Sequence, residues 1–212
     1  MKRLVWISLM VLALIGLFLL WNTNTWNQNT PKPAPPVLAT ESATVLTPSK
    51  PLPNFSLQDS NGKPFTQDAF IGHWTLLFFG YADCPKICPT ALAIVSGVWR
   101  AFPEQSPHPK AQFVFASLNP ISDTPNKLKA FLGRFNPTFI GLTGEASEMS
   151  KLTKSASVYS WTDPESNTED QKIIDHSAIL LLINPEGRLH ALFTPPHQIE
   201  TIKKDLEALM DR

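Results

Sequence analysis

Hydrophobic and polar positions divide this chain into three stretches with different rules. From Leu4 to Trp21 the sequence is apolar and uncharged for 18 residues. At about 1.5 Å per residue a helix of that length just crosses a hydrocarbon layer of roughly 30 Å. Residues 22–53 show no period. From Asn54 onward the pattern becomes regular, switching between runs that suit strands and faces that suit helices.

Within the regular part, Phe55-Ser56-Leu57-Gln58 alternates like a strand, and Asp59-Ser60-Asn61-Gly62 is a turn. Thr75–Gly80 is a continuous apolar run, as in a strand buried on both faces. Cys88, Leu92, Val95, Trp99 and Phe102 then recur at spacings of 4, 3, 4 and 3, which is one helical face. Pro89 suits the first helical position and biases Cys88 away from helical dihedrals, so the helix is expected to start there. A strand over Gln112–Leu118 follows, then a helix opened by Asp123-Thr124-Pro125, a cap followed by proline. A short strand near Phe139–Leu142 and a helix over Glu145–Ser155 come next. Residues 160–172 are polar and turn-rich and read as a surface excursion. Ala178–Asn184 and Arg188–Phe193 form a hairpin around Pro185-Glu186-Gly187, and Ile199, Ile202, Leu206 and Leu209 make a last helical stripe. Strands alternating with helices before a closing hairpin and helix indicate one α/β domain with a mixed sheet, residues 54–212.

The first two stretches place that domain. Lys2 and Arg3 precede the apolar run and favour the cytoplasmic side, so the remainder is exported. No small-x-small cleavage site follows Trp21, so residues 1–21 are expected to stay as a transmembrane anchor. No Arg- and Ser-rich transit peptide precedes it, which points to a bacterial inner membrane, crossed once, with the domain in the periplasm. Residues 22–53 include Pro31-Lys32-Pro33-Ala34-Pro35-Pro36 and read as an extended linker reaching on the order of 50–100 Å. Lysine plus arginine equal aspartate plus glutamate at 18 each, which gives no argument for nucleic acid.

The two cysteines, Cys84 and Cys88, lie between the buried strand and the following helix. Outside the cytosol a lone pair is ordinarily a disulfide staple. A loop this short gains little from closure, so the pair reads as chemical rather than structural. Thiols four apart on a helical turn are close enough to form a disulfide or to meet one small ion. A helix N-terminus is expected to lower their pKa. Two sulfurs are an incomplete metal site. His176 stands just before the run Ala178–Ile183 and is the candidate third ligand, giving a set suited to Cu(I) or Zn(II). His73, His108, His190 and His197 read as surface or capping residues, and an isolated His176 would read the same way.

The stretch Trp74–Tyr81 leading into Cys84-Pro85-Lys86-Ile87-Cys88-Pro89-Thr90 resembles the Sco/SenC family of cytochrome oxidase assembly proteins. So do Ser117-Leu118-Asn119-Pro120, Asp123-Thr124-Pro125, Gly141–Gly144 and Asp175-His176-Ser177. The resemblance implies a thioredoxin-like mixed sheet flanked by helices. It implies copper held by Cys84, Cys88 and His176, as Cu(I) and also Cu(II), and an N-terminal membrane anchor. The implied function is copper delivery to the binuclear copper site of cytochrome c oxidase subunit II. The alternative is a thiol–disulfide reductase in which Cys84 and Cys88 keep the partner's cysteines reduced. Two positions depart from the family pattern: Lys86 stands where an acidic residue is usual, and Asn119 where an aspartate is usual. Both remove negative charge beside the site while leaving the three ligands in place. A peroxiredoxin-type peroxidase fits poorly, because Tyr81 and Pro85 occupy the places of that motif's proline and hydroxyl residue.

Overall fold

The computed structural model describes residues 10–12, 14–16, 18, 40–102, 111–156, 160–162, 174–176 and 178–211, with backbone only at 160–162 and 174–176. The chain divides into two units, Met1–Ala39 and Thr40–Arg212. In the first, residues 10–12 and 14–16 are helical and Met10, Val11, Leu12 and Leu14 are exposed. No helix among the described residues is long and apolar enough to cross a membrane. Most of the span expected over Leu4–Trp21 lies outside the described residues.

The second unit is built on an eight-stranded sheet in the order β1-β10-β9-β4-β5-β6-β2-β3. Its strands are β1 (Ala43–Pro51), β2 (Ser56–Asp59), β3 (Pro64–Thr66), β4 (Trp74–Gly80), β5 (Ala111–Ser117), β6 (Ile140–Thr143), β9 (Leu180–Ile183) and β10 (Arg188–Phe193). A separate two-stranded sheet pairs β7 (Ser160–Thr162) with β8 (Ile174–His176). The helices are α1 (Ile87–Ala101), α2 (Pro125–Gly133), α3 (Ala146–Ser155) and α4 (Ile199–Met210). β4, β5 and β6 run parallel, while β9 is antiparallel to β4 and pairs Leu180 with Phe78. This is the mixed α/β sheet expected from the alternation of elements.

Strand geometry sends alternate side chains to opposite faces. Leu77, Phe79, Val114, Ala116, Leu181 and Ile183 join Met149 and Leu152 of α3 in one core. On the other face Phe115 meets Phe78 and Phe131 of α2, and Phe113 meets Trp99 of α1. Thr75–Gly80 is therefore buried from both sides, as its unbroken apolar run implied.

One boundary moves. Residues 43–51, placed in the linker by their sequence, form edge strand β1 against β10. The strand is mostly exposed, carries Pro48 and Pro51, and breaks register between Val45 and Lys50. An edge strand tolerates such prolines because its outer N–H groups have no neighbour to bond.

Asp205 of α4 fixes the start of β1. Its buried carboxylate accepts the backbone N–H groups of Glu41, Ser42 and Ala43 at 2.8–2.9 Å and the Ser42 hydroxyl at 2.9 Å. Burial pushes its pKa up, but the bonds from Glu41, Ser42 and Ala43 outweigh that and hold it below the usual carboxylate range. A depressed folded pKa contributes stability above the unfolded value of about 3.9, and that stability is lost as pH falls through the folded value. Asp205→Asn is expected to lower unfolding free energy by about 2–3 kcal/mol at pH 7. The difference from wild type should shrink in urea melts repeated at pH 3 and below. A constant difference across that window would place the effect elsewhere.

Candidate metal and thiol site

The site begins where β4 ends. After Gly80 the chain turns through Tyr81, Ala82 and Asp83, and the Cys84 N–H donates to the Tyr81 carbonyl at 3.2 Å. Helix α1 starts at Ile87, two residues earlier than its proline suggested, so Cys88 lies inside the first turn and Pro89 holds the third position. Proline is tolerated there because the first four N–H groups of a helix have no internal partner. Lys86, the N-cap residue, offers no side-chain bond. The cap comes from sulfur instead: the Cys88 N–H donates to Cys84 Sγ at 3.3 Å. The structure thus brings both sulfurs to one helical turn, as buried thiols, Cys84 6% and Cys88 0% exposed.

That burial reverses one expectation. The helix N-terminus was expected to lower the thiol pKa values, yet Cys88 is pushed up. The hydrogen bond with the Cys84 side chain contributes most, followed by burial, and the charges of Cys84 and Asp123 add to it. The helix end cannot compensate in a pocket where a second negative charge would be desolvated beside a first.

Gly80 makes room for the pair. A Cβ there would lie 2.6 Å from Cys88 Sγ and 2.9 Å from the Phe115 ring. Both neighbours are fully buried, so neither can swing away. Gly80→Ala is expected to destabilise the fold by about 1–3 kcal/mol through overpacking. It is also expected to displace the Cys88 sulfur. Thermal melts and disulfide formation on mild oxidation read the two effects separately, and an unchanged melt would show that the pocket has slack.

A second loop locks the first in place. The Leu118 N–H donates to the Gly80 carbonyl at 2.7 Å. Asp123 is 1% exposed and its Oδ2 accepts the Ala82 N–H at 3.0 Å and the Ser117 hydroxyl at 2.7 Å. Lys127 Nζ lies 3.5 Å from Asp123 Oδ1, 2.6 Å from Asp83 Oδ2 and 2.9 Å from Ser122 Oγ. The sequence opens this helix on Asp123-Thr124-Pro125, a cap followed by proline. The cap is Thr124, which accepts the Lys127 N–H at 3.3 Å ahead of Pro125 at the first position. Asp123 is instead a buried anchor for the turn that carries Cys84. Of the two departures in charge, Lys86 is exposed, while the Asn119 N–H donates to Ser117 Oγ at 3.0 Å within this loop.

His176 ends β8, where it pairs with Ser160, so part of the expected surface excursion is strand. Its side chain lies outside the described residues. Its backbone precedes β9, whose residue Leu180 is opposite Phe78 of β4. The segment entering β9 therefore approaches the sheet edge from which β4 leaves toward the cysteines. Among the described residues no group of three or more His, Cys, Asp or Glu side chains could hold a metal. His73 is exposed, His190 bonds Ser49 Oγ, His197 bonds the Ala178 carbonyl, and His108 lies outside the described residues.

A family model described as SCO1/SenC matches residues 45–211. The chain belongs to the SCO1/SenC family. The family relatives include yeast (Saccharomyces cerevisiae) mitochondrial SCO2, 35% identical over 162 residues, covering 74% of this chain and 54% of that protein. A protein of Stutzerimonas stutzeri named for copper binding is 30% identical, covering 79% of this chain and 80% of its own length. The chain spans about half the length of the mitochondrial relatives. Among solved SCO1/SenC structures, copper-bound ScoI of Bradyrhizobium japonicum is 34% identical with a TM-score of 0.66, covering 74% of this chain and 98% of that one. Copper-bound yeast Sco1 is 28% identical with a TM-score of 0.69, covering 76% and 89%. The thioredoxin-like arrangement implied by the motifs is thus the fold of this domain.

Proposed function

We propose that this SCO1/SenC chain is a copper chaperone, tethered to the bacterial inner membrane by residues 1–21, with its domain in the periplasm. Its cargo is copper, carried as Cu(I) and also Cu(II), and its client is the binuclear copper site of cytochrome c oxidase subunit II. Cys84, Cys88 and His176 are the proposed ligands. The observation that supports this most is the sulfur pair: two buried thiols on one helical turn suit a soft ion, and family members of known structure hold copper. The donor set fits as far as it is described, with two sulfurs together and His176 on the short strand that precedes β9, the neighbour of β4. Both sulfurs belong to buried residues, and Cys88 Sγ and the Phe115 ring both border the space that Gly80 leaves open.

The same sulfur pair supports a second reading. As a dithiol it can reduce a partner disulfide. One thiolate attacks, a mixed disulfide forms, and the second sulfur resolves it. Two electrons pass to the partner, and a Cys84–Cys88 disulfide remains. The two readings part in a deletion strain. Oxidase assembly restored by added copper alone supports the chaperone, and restoration by added reductant alone supports the reductase. Anaerobic Cu(I) titration of the reduced full-length chain against a chromogenic chelator is expected to give one ion per chain. No binding tighter than the chelator would defeat the first reading.

A further inference from the structure

His197 has a task that its place in the sequence did not forecast. Its Nε2 is hydrogen-bonded to the Ala178 carbonyl. A carbonyl only accepts, so Nε2 carries the ring proton. Nδ1 is buried with no hydrogen-bond partner among the described residues. Ala178 lies two residues after His176 and two before β9. On its other side, His197 lies two residues ahead of α4, which opens at Ile199. Ile199 fills the space over Gly97, where an added Cβ would come within 2.4 Å of its Cδ1. Gly97 belongs to α1, the helix whose first turn holds Cys88. A run of contacts and short chain segments therefore leads from the cysteine helix, through Ile199 and His197, to the backbone that carries His176.

We propose that His197 is a positioning residue for the third metal ligand: its Nε2–H grip on Ala178 holds the backbone two residues after His176. The proposal rests on His176 being a ligand. His197 itself does not touch the ion. Its effect is preorganisation, because a segment already held in place is not ordered anew when copper binds.

The test compares His197→Phe, His197→Gln, His176→Ala and the double variant His176→Ala/His197→Phe in the full-length chain. Cu(I) affinity is read by chelator competition, and the Cu(II) adduct by its thiolate charge-transfer band and electron paramagnetic resonance. His197→Phe is expected to weaken Cu(I) binding by about tenfold and shift the Cu(II) spectrum, in the range for partners that orient a ligand. His197→Gln, which keeps a donor, is expected to recover most of the loss. In the His176→Ala background, His197→Phe is expected to change nothing further, since coupled residues are not additive. An equal loss with and without His176, or no loss in either, would overturn the proposal. Unchanged affinity in His176→Ala would overturn the ligand reading itself, and this proposal with it. Should His197→Phe fail to fold, His197→Asn takes its place under the same criteria.

Discussion

Replacing Cys88 with alanine is expected to lower Cu(I) affinity by more than about a hundredfold, beyond the loss typical of a residue that only orients a ligand. The sulfur sits in the first turn of α1 at 0% exposure, against the space that Gly80 leaves open and the Phe115 ring. No other thiol is available, because the chain has only two cysteines. Removing one leaves Cys84 with no second thiol partner for the ion. The fold, by contrast, loses one small buried atom, worth about 1 kcal/mol. The melting temperature should therefore move little while copper binding collapses. Chelator competition and a thermal melt on the same sample separate the two. A variant that unfolds would show that the sulfur is structural, and one that keeps its affinity would remove Cys88 from the ligand set.

Asp123→Ala is expected to cost about 2–4 kcal/mol, since it strips acceptors from a half-buried N–H and a buried hydroxyl. The Ala82 N–H and Ser117 Oγ both rely on Asp123 Oδ2. Lys127 keeps its bridge to Asp83, which limits the electrostatic part of the loss. The consequence for function comes from position. Ala82 lies two residues before Cys84, so loss of its anchor loosens the turn that sets the distance between the sulfurs. Urea melts should show the destabilisation. The Cys84–Cys88 disulfide should also form and break with a shifted midpoint in a glutathione buffer. A destabilised variant with an unchanged redox midpoint would confine Asp123 to fold stability.

Much of this was legible in the chain. Thr75–Gly80 announced a strand buried on both faces because no polar residue beyond Thr75 interrupts it. The spacing from Cys88 to Val95 gave the buried face of α1. β1 was hidden because an edge strand has no burial period to show, and its prolines resemble linker. The buried role of Asp123 was not legible, because an aspartate ahead of a helix reads as part of its cap. A usable signal was present: Thr124 could cap by itself, which left the carboxylate to find another partner. The raised Cys88 thiol was not legible, since it depends on depth beneath the sheet edge and on its contact with Cys84. His197 looked like a residue ahead of a helix, and only the closing of β10 against β9 brings it to Ala178.

The measurement that most directly tests the copper centre is X-ray absorption at the copper edge of the Cu(I)-loaded full-length chain, with and without His176→Ala. Two sulfur scatterers and one imidazole nitrogen are expected in the parent, with the nitrogen lost in the variant. Sulfur-only coordination in the parent, identical to that of His176→Ala, would contradict the proposed three-ligand site.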